Sequence, residues 1–242
     1  GNIGITNNKG IDVTLNYTKN WTKENFFSFR GTFNTNKNLA EFDGLPPWRY
    51  DYLNRIGQSI SQRFGYIATG LFQNEDEIAN AAVQAGDVRP GDIRYKDLNG
   101  DGIINSNDQT AIGYGNVPRV VYGLSFGGGY RGFDLSLFFQ GSGLVDFNYA
   151  SGFATQPFSN GATFGNMYEY AMDRWTPDNP NKRPFYPRMS TSQDITSNYN
   201  TSTWWIKRAD YIRLKSAEVG FTFTKKFLEK VAIKRLRIYA NG

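Results

Sequence analysis

The sequence has 242 residues, a formal net charge of +5, and no cysteine or histidine. Without these two residue types the chain can have no disulfide, no thiolate or imidazole metal ligand and no histidine general base, so most familiar enzyme sites are excluded. The charges, 27 Lys and Arg against 22 Asp and Glu, are scattered without a dense basic run, which argues against nucleic acid as a partner.

Aromatic residues make up 16% of this polar chain, whose mean hydropathy is -0.54, and this combination indicates half-exposed strands. No run approaches the roughly 20 apolar residues that a membrane-spanning helix needs. The first residues also lack the features of a secretory signal. A β-barrel is compatible with both observations, because its strands alternate and form no long apolar run.

Two alternating segments, residues 11–17 and 26–34, predict the first pair of strands. The link between them is short and polar, so they are expected to pair antiparallel. The clearest hairpin lies at residues 120–140 and turns at Arg131 and Gly132.

The last two predicted strands lie near the end of the chain, at residues 217–224 and 235–240. Upstream of them, Ile212 and Leu214 alternate in the opposite phase, which predicts a β-bulge near Ser216.

The two faces of these strands differ in chemistry. One face is rich in Phe and Tyr, and the other carries Gly, Ser, Thr, Asn and Asp together with Arg30, Asp134, Gln140 and Glu218. An outer-membrane barrel has this pattern, with the apolar face toward lipid and the polar face toward the lumen. A soluble sandwich remains an alternative, because alternation does not say which face is wet.

Connection lengths favour the barrel. The links after Tyr17, Tyr130 and Thr224 are short, whereas residues 35–118 and 141–210 form long connections. Short turns on one side and long loops on the other are typical of outer-membrane barrels, so the two long regions are predicted to be extracellular. An even number of crossings must then lie between the second and third strands. Residues 55–72 alternate weakly and contain glycine, so no crossing is favoured and two crossings is the alternative.

Residues 97–108 have the spacing of a calcium loop, with Gly102 at its sixth position. The predicted ligands are Asp97, Asn99, Asp101, the carbonyl of Ile103, Asn105 and Asp108. These hard oxygen donors suit Ca²⁺, and the short Asp at the twelfth position leaves Mg²⁺ as an alternative. The ion would have a structural role, by restricting a long exposed loop. The other interpretation is a polar turn without an ion.

Aromatic side chains are frequent in the second long region. The candidates for contact with a substrate or partner are Tyr168, Tyr170, Trp175, Trp204 and Trp205. Their rings could stack on sugars or pack against a partner, and the alternative is packing within the loops or an aromatic belt at the membrane surface.

Four stretches in this order resemble the SusC/RagA family of TonB-dependent outer-membrane transporters. They are "NIGITNNKGIDVTLNY", "GYIATGLFQNEDEI" with "PGDIRYKDLNGDGIINSNDQTAIG", "RWTPDNPNKRPFYPR" and "IKRADYIRLKSAEVGFTF". The resemblance implies an all-β fold that is part of a large antiparallel transmembrane barrel of about 22 strands. Residues 1–242 would be its C-terminal part, with the plug domain, the signal peptide and the last strands absent.

The resemblance also implies a function without enzymatic activity. The chain would form part of an importer for oligosaccharides or peptides, surrounded by lipid in the outer membrane of a Gram-negative bacterium. A SusD-like surface lipoprotein would be its partner, and the TonB complex would supply energy through the missing N-terminal region. The alternative function is a secreted, calcium-stabilised β-sandwich that binds glycans. An enzyme such as a glycosidase is disfavoured, since nothing marks a pair of acid and base carboxylates.

Overall fold

The computed structural model describes residues 4–150, 169–180, 183–189, 197–223, 233 and 235–242. These residues are organised as two compact units. The first, called the sheet unit, consists of Asn7–Asn38, Pro118–Val145 and Ala209–Gly242. The second, called the loop unit, consists of Gly1–Thr6, Leu39–Val117 and Asp146–Arg208.

Strands dominate both units. Within the described residues they are β1 (Ile5–Asn20), β2 (Phe26–Phe42), β3 (Arg63–Tyr66), β4 (Ala68–Leu71), β5 (Ile93–Tyr95), β6 (Gln109–Ile112), β7 (Val120–Tyr130), β8 (Phe133–Gly143), β9 (Asp146–Asn148), β10 (Ile206–Arg208), β11 (Tyr211–Thr222) and β12 (Arg237–Asn241). The helical elements are α1 (Glu75–Ala79) and 3-10 turns at Asp51–Leu53, Ser106–Asp108, Glu169–Met172 and Ser197–Tyr199. In this described part of the chain, every helix is too short to cross a membrane.

The sheet unit contains one six-stranded sheet in the order β1-β2-β7-β8-β11-β12. Every pairing from β2 to β12 is antiparallel. The all-β, antiparallel fold expected from the sequence is therefore confirmed. The second strand continues to Phe42, further than was predicted from the sequence. Residues 35–42 are mostly polar, so they show little of the apolar alternation on which the prediction was based.

The predicted hairpin and bulge are both confirmed. Arg131 and Gly132 have φ angles of 51° and 88°, which makes the turn between β7 and β8 a two-residue turn of type I′. The pairing of β11 with β8 shifts between Leu214 and Ser216. The extra residue, Lys215, keeps Leu214 and Ala217 on the same face of the sheet despite the change of phase.

Cross-strand register collects the apolar side chains on one face of the sheet. In β7, β8 and β11, for example, Leu124 lies opposite Phe139, which lies opposite Leu214. Several of these side chains are more than half exposed, including Leu15 at 59% and Leu214 at 51%. Such exposure of apolar side chains is what contact with lipid would require.

The loop unit has small sheets and its own core. β3 pairs with β6, β4 with β5 and β9 with β10, all outside the six-stranded sheet. β3 and β4, which lie within residues 55–72, are therefore not strands of the six-stranded sheet, and the absence of a membrane crossing in these residues stays a prediction. The buried core consists of Leu71, Ile93, Tyr95, Ile104, Ala171, Trp175, Tyr186 and Trp205.

Candidate functional site

The predicted calcium loop folds around its own backbone amides. The carboxylate of Asp97 accepts hydrogen bonds from the amides of Gly100, at 2.7 Å, and Gly102, at 2.8 Å. Both glycines have left-handed φ angles, 76° and 80°, that glycine adopts without strain. Asp101 likewise accepts from the amide of Ile103 at 2.9 Å. Each oxygen keeps a second lone pair, so these bonds leave capacity to coordinate a cation.

The carbonyl of Ile103 points into this loop. Val83 forms backbone hydrogen bonds with Gly102 and Ile104, the residues on either side. The amide and the carbonyl of Ile103 itself therefore point away from Val83. The carbonyl oxygen of Ile103 accepts a hydrogen bond from the side-chain amide of Asn105 at 3.3 Å. This orientation fits the backbone-carbonyl ligand of a calcium loop.

Asp108 closes the loop from inside the protein. Its side chain is fully buried and accepts hydrogen bonds from the amides of Leu98 and Asn105, both at 2.8 Å. Burial and the negative charge of Asp108 raise the pKa of Tyr52. The carboxyl group of Asp108 also interacts with that of Asp97, so the first and last positions of the loop lie near each other.

Hydrogen bonds, first from the amide of Gly102, lower the pKa of Asp97. The ionised carboxylate therefore stabilises the folded loop above the pKa of unfolded Asp, and this stabilisation is lost as pH falls through the lowered value. Hydrogen bonds join the predicted ligands Asn99 to Asp101, at 2.8 Å, and Asn105 to Ile103, at 3.3 Å. Within the described ranges, however, no three acidic side chains cluster tightly enough to hold a metal ion. Metal binding remains a prediction.

The aromatic candidates occupy different environments. Trp175 and Trp205 belong to the buried core, where the indole nitrogen of Trp205 donates to the carbonyl of Asn198 at 2.6 Å. A substrate does not reach these two rings, so packing within the loops accounts for them. Trp204 donates a hydrogen bond to the carbonyl of Phe185 at 3.2 Å. Its side chain is half-buried, so part of the ring surface is accessible. Tyr170 lies in the 3-10 turn Glu169–Met172, and Tyr168 lies outside the described residues.

A buried ionic network that the sequence did not predict ties the loop unit together. The carboxylate of Asp92 is 1% exposed and forms two hydrogen bonds of 3.0 Å with the guanidinium of Arg188. It also accepts from the side-chain amide of Asn198 at 2.8 Å and from the backbone amide of Arg89 at 2.9 Å. Asn198 in turn accepts from the amide of Ile93 at 2.8 Å. The one feature of the sequence that could have indicated this network is Asp92 itself, an acidic residue directly before the strand β5 in "PGDIRYK".

Two of the predicted lumen-facing residues form an ion-pair cluster on the polar face of the sheet. Arg237 lies within 2.7 Å of Glu218 and donates to Asp134 from its Nε at 3.1 Å. To reach Asp134 it crosses β11 at Gly220, the residue directly opposite Asp134. A β-carbon at Gly220 would lie only 2.8 Å from Cζ of Arg237, so the cluster depends on this glycine.

We therefore expect Gly220→Ala to destabilise the sheet, because the added methyl group pushes Arg237 away from Asp134. The expected result is a lower midpoint of denaturant unfolding than that of the unmodified protein. Gly128→Ala is the matched control, since a β-carbon there meets only one atom, at 3.7 Å. Denaturant unfolding of the lipid-reconstituted protein measures both variants. Equal stabilities would contradict the role assigned to Gly220.

No family model matches the chain. The TonB-dependent receptor P3 of Formosa agariphila is 28% identical over the whole chain, which covers 24% of that receptor. The TonB-dependent receptor P26 of the same organism is 26% identical, again over the whole chain and 24% of the receptor. The chain thus spans about a quarter of the length of these curated relatives.

Solved structures show the same fold. A structure of the RagAB peptide transporter matches 99% of the chain and 25% of the solved chain, with a TM-score of 0.67 and 17% identity. The closed-closed state of the RagAB peptide importer matches 99% of the chain and 26% of the solved chain, with a TM-score of 0.64. The resemblance predicted from the sequence motifs is confirmed: the homologues are TonB-dependent receptors and the fold is that of their barrels.

Proposed function

From its homology to TonB-dependent receptors, we propose that this chain forms part of the barrel wall of an importer in the outer membrane of a Gram-negative bacterium. One observation carries the proposal, namely the exposed apolar face of the six-stranded sheet, which lies back to back with a polar face. Left in water, an apolar surface of this size would promote aggregation. Lipid on one side and an aqueous lumen on the other satisfy both faces.

Both edges of the sheet support the same proposal. β1 and β12 are the outer strands in the described sheet order, so each has one edge without a neighbour. Unpaired backbone groups in lipid cost several kcal/mol each, which is why membrane sheets close into barrels. We therefore propose that further strands of a larger barrel pair with these two edges.

The proposed barrel also suggests where its substrate and its partner proteins would bind. The connections after β2 and β8 leave at one end of the sheet, and the turns after β1 and β7 lie at the other. In an outer-membrane barrel the long connections are extracellular. There we place contact with a SusD-like surface lipoprotein and with an oligosaccharide or peptide substrate, for which Trp204 is the accessible candidate. The TonB complex would supply the energy.

Cell fractionation tests the membrane location. The full protein, expressed in a Gram-negative host, should sediment with outer membranes and need detergent for extraction. It should also migrate differently in gel electrophoresis before and after boiling, as folded barrels do. The alternative, a secreted glycan-binding sandwich, would remain soluble and monomeric without detergent, and that result would overturn the proposal.

We also propose that the loop at residues 97–108 binds Ca²⁺ as a structural ion, with Mg²⁺ as the alternative. Support comes from its ligand spacing and from the inward carbonyl of Ile103. Asp97→Ala and Asp101→Ala should each abolish calcium-dependent protection of the loop from protease. Asp87→Ala, outside the loop, is the control and should leave protection intact. Equal protease sensitivity with and without calcium in the unmodified protein would refute calcium binding, and magnesium is tested in parallel.

A further inference from the structure

The apolar face of the sheet contains a groove of about 450 Å³ around Gly128. Gly128 lies between Phe27 on β2 and Leu135 on β8, and it contributes no side chain to this face. The groove is walled by Phe27, Phe126, Tyr130, Phe133, Leu135 and Val219. Apart from Asp134, whose carboxylate pairs with Arg237, the side chains that line the groove are aromatic or aliphatic, and its floor is the backbone of β7.

Crowding does not explain the glycine at this position. A β-carbon at Gly128 would meet only the carbonyl oxygen of Phe26, at the ordinary contact distance of 3.7 Å, and its φ is not left-handed. The neighbouring Gly129 is different, because the ring of Phe26 lies where its side chain would be. The sheet would thus accept a larger residue at Gly128, and the glycine serves to keep the groove open.

A cation stands beside the groove, at the turn that follows β7. The guanidinium carbon of Arg131 lies 5.2 Å from the ring centroid of Tyr130, one of the walls. Within the described residues, no carboxylate oxygen lies within 4.0 Å of this guanidinium. The turn packs against the neighbouring turn, where the side chain of Asn25 accepts a hydrogen bond from the amide of Arg131 at 3.1 Å.

Arg131 is also an unusual residue for its backbone conformation. Its φ of 51° is left-handed, and the first central position of a type I′ turn favours Asn, Asp or Gly. An arginine that occupies this position despite the unfavourable backbone indicates that its side chain has a role beyond the turn.

We propose that the groove binds one acyl chain of a membrane phospholipid and that Arg131 binds the phosphate of the same molecule. Apolar walls suit the acyl chain, and a guanidinium that pairs with no carboxylate among the described residues suits a phosphate. The site rests on the membrane location proposed above. The turn that contains Arg131 lies on the short-turn side of the barrel, which faces the periplasm. The outer-membrane leaflet on that side consists of phospholipid.

The test uses the full protein, purified in detergent, stripped of lipid and then incubated with phosphatidylglycerol. Native mass spectrometry counts the bound lipid. Gly128→Leu should fill the groove and reduce bound lipid at least tenfold. Arg131→Asn should reduce it severalfold although the turn accepts Asn more readily, so misfolding would not explain the loss. Val13→Leu, a matched change on the exposed apolar face of β1, should leave binding unchanged.

Two results would overturn the site. Gly128→Leu protein that retains phosphatidylglycerol at the unmodified level would exclude the groove, and groove-dependent binding of lipopolysaccharide in place of phosphatidylglycerol would exclude a phospholipid. A failure of the proposed membrane location would give a different result, because the protein would then be missing from the outer-membrane fraction. A protein that reaches the membrane but binds lipid independently of Gly128 would disprove only the lipid site.

Discussion

Leu15→Arg should strongly reduce the amount of protein that folds into the outer membrane. Leu15 is 59% exposed on the apolar face of β1, five residues before the strand ends at Asn20. A membrane-spanning strand has about 9–11 residues, so in the proposed barrel this position lies near the middle of the bilayer. An arginine facing lipid at that depth costs roughly 2–4 kcal/mol. The free energy of unfolding in lipid vesicles, measured by denaturant titration, should fall by this amount.

Thr14→Arg is the matched control. Thr14 is the adjacent residue, exposed on the opposite face of β1, together with Asp12, whose carboxylate accepts a hydrogen bond from Asn34 at 3.4 Å. Because this face lines the aqueous lumen in the proposed barrel, the second arginine should change stability little. In a soluble sandwich both residues are simply exposed, and both substitutions should remain within about 0.5 kcal/mol. Equal effects of the two arginines would therefore reject the membrane-facing assignment.

The sheet was predictable because its signals are local. Alternation with a period of two identifies a strand and its two faces from about six residues, and the change of phase at Ser216 is enough to predict the bulge. The hairpin required only the short Arg131–Gly132 link between two alternating segments, whereas the type of its turn follows from the φ angles. The extension of β2 to Phe42 could not be predicted, because backbone pairing, rather than an apolar pattern, defines that part of the strand.

The loop unit was predictable only where its contacts are close in sequence. The six ligand candidates of the calcium loop lie within twelve residues, so the sequence alone predicts that this loop folds on itself, as the hydrogen bonds from Gly100 and Gly102 to Asp97 show. Asp92 and Arg188, in contrast, are 96 residues apart, and no periodic pattern connects them. The burial of Trp175 and Trp205 depends on the same long-range packing. A tryptophan in a long connection looks the same in sequence whether it is a core residue or a binding residue.

Asp92→Ala should have the largest effect on the loop unit. The substitution would leave the buried side-chain amide of Asn198 and the partly buried guanidinium of Arg188, 18% exposed, without their charged acceptor. Removing one partner of a buried ion pair typically costs about 3–5 kcal/mol. Asn198 also holds the amide of Ile93 and the indole of Trp205, so the aromatic core should loosen as well. Hydrogen exchange in the full protein should accelerate around Ile93 and Trp205.

Asp87→Ala supplies the comparison, because Asp87 also pairs with an arginine, Arg89, but both side chains are more than half exposed. Exposed pairs of this kind contribute about 0–1 kcal/mol, so its exchange rates should match those of the unmodified protein. Exchange in β7 and β8 is the internal reference, since Asp92 makes its hydrogen bonds within the loop unit. Unchanged exchange around Ile93 in Asp92→Ala would show that the network does not hold the loop unit together. Faster exchange there, with β7 and β8 unaffected, would establish that the loop unit has a stability of its own, set by a charge pair that joins segments far apart in the sequence.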